Sequence, residues 1–107
     1  MPDADQPSII VNMWRVADGD QDACVDALVG LFSRLRKLDG FIDGAILRGV
    51  DPTRFVTYTR MRSNKERDAA LIDSEIHGVL RTISGIAHPD PHPYTVFRKF
   101  TAEQPST

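Results

Sequence analysis

Asn12 and Trp14 stand two residues apart in the alternating stretch Ile9 to Val16, so they share one face of a strand. A buried asparagine must find partners or cost about a kcal/mol or more. Asn12 therefore reads either as a member of a structural network or as a contact to a bound ligand. Trp14 reads as a core filler or as a flat platform for an aromatic ligand. A second alternating set, Phe55, Thr57, Thr59 and Met61, faces one side of the stretch Arg54 to Met61. Its β-branched and aromatic content marks a central strand looking into a pocket under helices. His77 lies in a helical run, and its reference pKa of about 6.5 makes it the available proton acceptor near neutrality. Its alternative reading is a partly exposed helical histidine.

Other reactive residue types lack company. His88 and His92 are spaced as His-x3-His among prolines. Two ligands alone make a weak site and no cysteine or carboxylate cluster completes it, so no metal is expected. Cys24 falls on a buried helical stripe and reads as a small core residue. Tyr58 and Tyr94 each offer a hydroxyl, with the face open in both cases. No glycine-rich phosphate loop or nucleophile elbow is present.

The elements that position these residues follow from period and punctuation. The first strand, Ile9 to Val16, is apolar on both faces, which predicts cover on both sides and hints at a dimer. Ala17-Asp18-Gly19-Asp20 is a turn with an Asp N-cap. Cys24, Leu28, Leu31, Leu35 and Leu38 then form a helical stripe, widened by Ala27 and Phe32. Gly40 is expected as its left-handed C-terminal cap. Phe41 to Val50 is a second strand, turned by Asp51-Pro52-Thr53 into an antiparallel hairpin with the third. Ser63-Asn64-Lys65-Glu66 spells a capping box. That second helix runs to about Ile72, and Ser74 is read as the cap of a continuation ending at Gly85. The segment His88 to Pro93 carries three prolines and is excluded from helix and inner strand. Tyr94 to Phe100 is the expected fourth strand. The order is β-α-β-β-α-β, a ferredoxin-like α+β domain with a four-stranded antiparallel sheet and strands one and three central.

A chain of 107 residues with net charge −2 is one domain, with an ordered core over about 8–100. That charge gives no reason to expect nucleic acid. The clusters Arg34-Arg36-Lys37 and Arg60-Arg62-Lys65-Arg67 have acids nearby and read as solvated faces. No apolar run is long enough to cross a bilayer. The first residues lack the basic and apolar regions of a signal peptide, and the single cysteine fits a reducing compartment, so the expected location is cytoplasmic.

Three sets of residues carry a resemblance: the early Gly-Asp before the first helix, Asp39-Gly40-Phe41 at the helix-to-strand join, and Asp90-Pro91-His92-Pro93-Tyr94-Thr95-Val96. In this order and spacing, over roughly Ile9 to Lys99, the chain resembles the antibiotic biosynthesis monooxygenase family. The resemblance implies a dimeric α+β barrel, in which two sheets cover each other. It implies oxidation of an anthrone-like aromatic polyketide by dioxygen, with no metal, flavin or haem as cofactor. Members with that activity typically read Asn-Tyr-Ala-Gln-Trp in the third strand, where this chain has Thr57-Tyr58-Thr59-Arg60-Met61. Leu47 stands where such enzymes often place a polar residue. Other members degrade haem, using a first-strand asparagine, which Asn12 matches, together with a helical Trp and an iron-binding His. The positions matching the last two are Ala70 and Leu80, with His77 one turn away.

The expected site thus has Asn12 and His77 as catalytic residues and Trp14, Leu47, Thr57, Met61 and Tyr94 as substrate contacts. The expected protein is a homodimer acting on a small aromatic molecule. A cyclase or a non-catalytic binding protein is the alternative, because an apolar pocket and proximity alone suit cyclisation.

Overall fold

The computed structural model describes residues 7–103. Its elements are β1 (Ser8–Val16), α1 (Gln21–Leu35), β2 (Phe41–Arg48), β3 (Arg54–Met61), α2 (Asn64–Leu71), α3 (Ser74–Ser84), β4 (Ala87–His88) and β5 (Pro91–Tyr94). The sheet runs β2-β3-β1-β4, with β5 also on β1, and every pairing is antiparallel. With β1 and β3 central, this is the expected ferredoxin-like α+β arrangement.

Pairing fixes which residues share a face. Asn12 lies opposite Thr57, Ile10 opposite Thr59, and Trp14 opposite Phe55. These look toward the helices. The α1 stripe meets them there: Cys24, Leu28, Leu31 and Leu35 are all buried. Trp14, Phe55, Met61, Ile76 and Ile83 join the same cluster. Burial pushes the Cys24 thiol up from its ordinary pKa, which removes it further from nucleophilic chemistry.

The other face of the sheet carries Met13, Leu47 and Tyr94, each about half exposed. Leu47 is paired with Val56 and Tyr94 with Ile9. Tyr58, paired with Val11, shares this face.

The proline segment departs from expectation. Ala87–His88 and Pro91–Tyr94 both pair with β1, and together they form the edge strand expected after Tyr94. Thr95 to Phe100 instead leaves the sheet. The register supplies the reason. Met13 N–H donates to the Asp90 carbonyl at 3.3 Å, so Asp90 turns its backbone toward β1. Strand alternation then points the backbone nitrogens of Pro89, Pro91 and Pro93 away from β1, where an edge strand needs no donors.

Caps also differ in detail. Asp20 precedes α1 but its side chain makes no cap bond; Gln21 Oε1 instead accepts from Gly19 N–H at 2.8 Å. α1 ends at Leu35 with Arg36 as its cap, so Gly40 serves the later join into β2, with φ +87°. A side chain at Gly40 would collide with Glu66. Ser63 accepts from Glu66 N–H at 3.2 Å, which is half of the capping box. The reciprocal half is missing, because the Glu66 carboxylate accepts from Arg62 and from the Ser63 hydroxyl.

Asp73, rather than Ser74, caps α3, accepting from Ile76 N–H at 3.0 Å. The same carboxylate receives Arg34 of α1 through Nη2 at 3.0 Å and Nε at 3.3 Å. The Arg34 hydrogen bonds, then the Ile76 N–H, hold its pKa below the ordinary carboxylate value. One side chain thereby starts α3 and ties it to α1. Gly85 ends α3 in right-handed geometry, not as a left-handed cap.

Candidate active site

The inner sheet face does not close completely against the helices. A cavity of about 250 Å³ remains, just below the roughly 300–1,000 Å³ of drug-sized ligand sites. Its floor is the sheet, through Ile10, Asn12 and Trp14 of β1 and Thr57, Thr59 and Met61 of β3. Leu31 and Leu35 of α1, Ala70 and Leu71 of α2, and Ile76 and Leu80 of α3 wall it. Pro89 and Pro91 close the edge-strand side. Arg67 is the only charged residue in the lining, and Ser84 the only further hydroxyl.

Three polar side chains of the floor, Asn12, Trp14 and Thr57, are tied by hydrogen bonds. Asn12, 9% exposed, accepts the Asp90 N–H on Oδ1 at 2.9 Å. That bond fixes the amide orientation, since only the oxygen can accept a backbone donor. The amide nitrogen then faces the remaining side with no hydrogen-bond partner among the described residues. Trp14 Nε1–H donates to Thr57 Oγ1 at 3.0 Å in a buried contact. This bond turns the indole edge toward β3, satisfies a donor that burial would otherwise strand, and leaves the Thr57 proton free to donate.

Of the expected site residues, Asn12, Trp14, Thr57 and Met61 share this cavity. His77 does not line it; it projects from the exposed side of α3, one position after the buried Ile76. Leu47 and Tyr94 lie on the opposite face of the sheet, as their pairing with Val56 and Ile9 requires. His92 and Asp90 bond to each other at 3.0 Å on the exposed edge strand.

Arg67 was expected on a solvated face. It sits three and four residues before Ala70 and Leu71, and helical spacing puts all three on the cavity side. That spacing was the available signal. Ser8, which donates nothing to the sequence pattern, is 3% exposed and accepts from Arg67 Nη1 at 3.1 Å.

The donor set does not suit an iron cofactor. The cavity lining contains no imidazole, thiolate or carboxylate, and Ala70 and Leu80, the two wall positions at which a haem site was weighed, carry no ligand. Among the described residues no group of three His, Cys, Asp or Glu could hold a metal ion.

No family model matches the sequence. No curated protein matches it either. Solved structures do. SnoaB, a cofactor-independent oxygenase from Streptomyces nogalater, superimposes with a TM-score of 0.84 at 13% identity, over 91% of this chain and 99% of that one. A candidate antibiotic biosynthesis monooxygenase from Nitrosomonas europaea gives 0.76 at 16% identity, over 95% of each chain. Another from Deinococcus radiodurans gives 0.80 at 10% identity, over 91% of this chain and 99% of that one. Such identities speak for architecture, and the chain is built on the fold of the antibiotic biosynthesis monooxygenases.

Proposed function

We propose that the protein is a cofactor-independent monooxygenase acting on a small anthrone-type aromatic of the polyketide kind. The observation that carries this reading is Asn12: its oxygen is tied to Asp90 N–H, so its amide donors are left for a ligand in a mostly apolar cavity. A preorganised donor is suited to an oxygen atom on which negative charge develops. Deprotonation of an anthrone CH₂ gives such an enolate. The enolate passes one electron to dioxygen, the two radicals join as a carbon peroxide, and loss of water leaves the quinone carbonyl. In sum, CH₂ and O₂ become C=O and H₂O, with the substrate as the sole reductant.

The cavity lining holds neither carboxylate nor imidazole, so the proton goes to water, and Asn12 acts by stabilising the enolate. Turnover should then rise with pH along the substrate's own ionisation, without a step near the reference histidine pKa of about 6.5. Trp14 and Met61 provide apolar surface for the rings, with Thr57 at the Trp14 edge.

A cytoplasmic homodimer is part of the same proposal. The outer sheet face leaves Met13, Leu47 and Tyr94 half exposed, while Phe97 and Phe100 stand almost fully exposed on the stretch that leaves the sheet. A second copy laid on that face would bury both sets, which is the covering that the two-sided β1 pattern asks for. Among the described residues no helix is long and apolar enough to cross a membrane.

The test is oxygen uptake by the purified, metal-free and flavin-free protein with a simple anthrone, with quinone absorbance followed in parallel. Protein-dependent uptake with matching quinone formation supports the oxygenase. The absence of any ionisable acid or base in the lining other than Arg67 favours a second reading, a binding or cyclase role that relies on shape. Binding without uptake would select it.

A further inference from the structure

Arg67 is the one formal charge facing an otherwise neutral cavity, and its surroundings are asymmetric. Its Nε and Nη2 reach Asp68 Oδ1 at 3.2 and 3.0 Å, and its Nη1 reaches the buried Ser8 hydroxyl at 3.1 Å. Five N–H groups are available on a guanidinium. These bonds use three, leaving one on Nη1 and one on Nη2 without a partner among the described residues. Asp68 is two-thirds exposed, so water and salt screen it. The cavity lining itself holds no carboxylate to meet the guanidinium. The Ser8 bond is anchored in β1 and pins the group in place.

We propose that Arg67 is the anchor for a carboxylate on the ligand, so that the preferred substrate is an aromatic acid and not a neutral ring system. This rests on the small-molecule reading of the cavity given above. A planar fork with two free N–H groups matches the two oxygens of a carboxylate. A dianionic phosphate would need further donors, and the lining supplies only one amide and a few hydroxyls. The strand gives the ruler. Ser8 and Asn12 lie on the same face of β1, four residues and therefore about 13 Å apart. A fused-ring acid lying along β1 would place its carboxylate at Arg67 and an oxygen-bearing ring toward Asn12. The anchor sets which end enters first, and thereby which ring carbon meets the amide.

The test compares two probes of one shape, anthracene-2-carboxylate and 2-(hydroxymethyl)anthracene. Quenching of Trp14, the single tryptophan of the chain, reports binding of each. The wild type is expected to bind the acid roughly ten- to a hundredfold more tightly, the range of one hydrogen-bonded charged pair. That advantage should shrink as salt is raised. Arg67→Gln should bring the acid-to-alcohol affinity ratio to about one, and Ser8→Ala should reduce it. Equal affinities in the wild type overturn the proposal, as does an advantage that survives in folded Arg67→Gln. The wild-type ratio decides even if that variant fails to fold. Binding of neither probe overturns it as well. Oxygen uptake is independent of this preference: preference without uptake keeps the anchor and removes the oxygenase, and uptake on a neutral anthrone without preference does the reverse.

Discussion

The side-chain oxygen of Asn12 holds the backbone N–H of Asp90 at 2.9 Å, at the point where the edge strand breaks between His88 and Pro91. A cavity residue of the central strand thus replaces a ladder bond for the edge strand. Two roles meet in one side chain, and they can be separated. Asn12→Ala leaves the Asp90 N–H without its acceptor and should cost about 1–3 kcal/mol in chemical denaturation. Asn12→Asp keeps an acceptor there but loses the donors, so most of that structural bond should persist. Both variants should lose roughly 10²–10³ in anthrone turnover if the amide stabilises the enolate. Turnover unchanged in either would confine Asn12 to the strand break.

Trp14 and Thr57 make a testable pair. Thr57→Val strands the buried indole N–H and should destabilise by about 1–3 kcal/mol, whereas Trp14→Phe with Thr57→Val removes donor and acceptor together. The double variant should therefore cost less than the sum of the singles in a double-mutant cycle. Strict additivity would mean that the bond contributes nothing.

Asp73 links stability to pH. Its folded pKa is depressed by Arg34 and the Ile76 N–H, so its contribution is present above the unfolded value of 3.8 and fades as pH falls through the lower folded value. Urea denaturation should show Asp73→Asn weaker than wild type at pH 7, with the gap closing toward pH 3. A gap independent of pH would assign the effect to hydrogen bonding alone.

The outer sheet face predicts the assembly. Met13→Glu or Leu47→Glu puts a charge on the half-exposed apolar surface and should convert a dimer to a monomer in sedimentation, with little change in helix content by circular dichroism. A wild-type monomer at micromolar concentration would remove the dimer from the proposal.

Much of this molecule can be read along the chain, because its signals are local. The spacing of Cys24, Leu28, Leu31 and Leu35 fixes the buried face of α1, and the alternation of Phe55, Thr57, Thr59 and Met61 fixes the inner face of β3. The same period put Asn12 and Trp14 beside Thr57 on the cavity floor. Leu47 and Tyr94 could not be sided that way. Leu47's face depends on the β2–β3 register, which shifts between Phe41 and Asp43, and Tyr94's on which residues of the proline segment join β1.

The remainder was decided between distant residues. Prolines 89, 91 and 93 forbid an inner strand, yet β1 offers an edge on which only the intervening backbone must bond. Asp73 outcompetes Ser74 as the cap because Arg34, thirty-nine positions earlier, also needs its carboxylate. Arg67 turns from a surface charge into a cavity residue because β1 brings a buried hydroxyl within reach. Period and propensity act over a few residues and determine elements and faces. A free sheet edge, a shared carboxylate and a charge set into a cavity wall exist only once those elements are packed, and so the tertiary structure alone decides them.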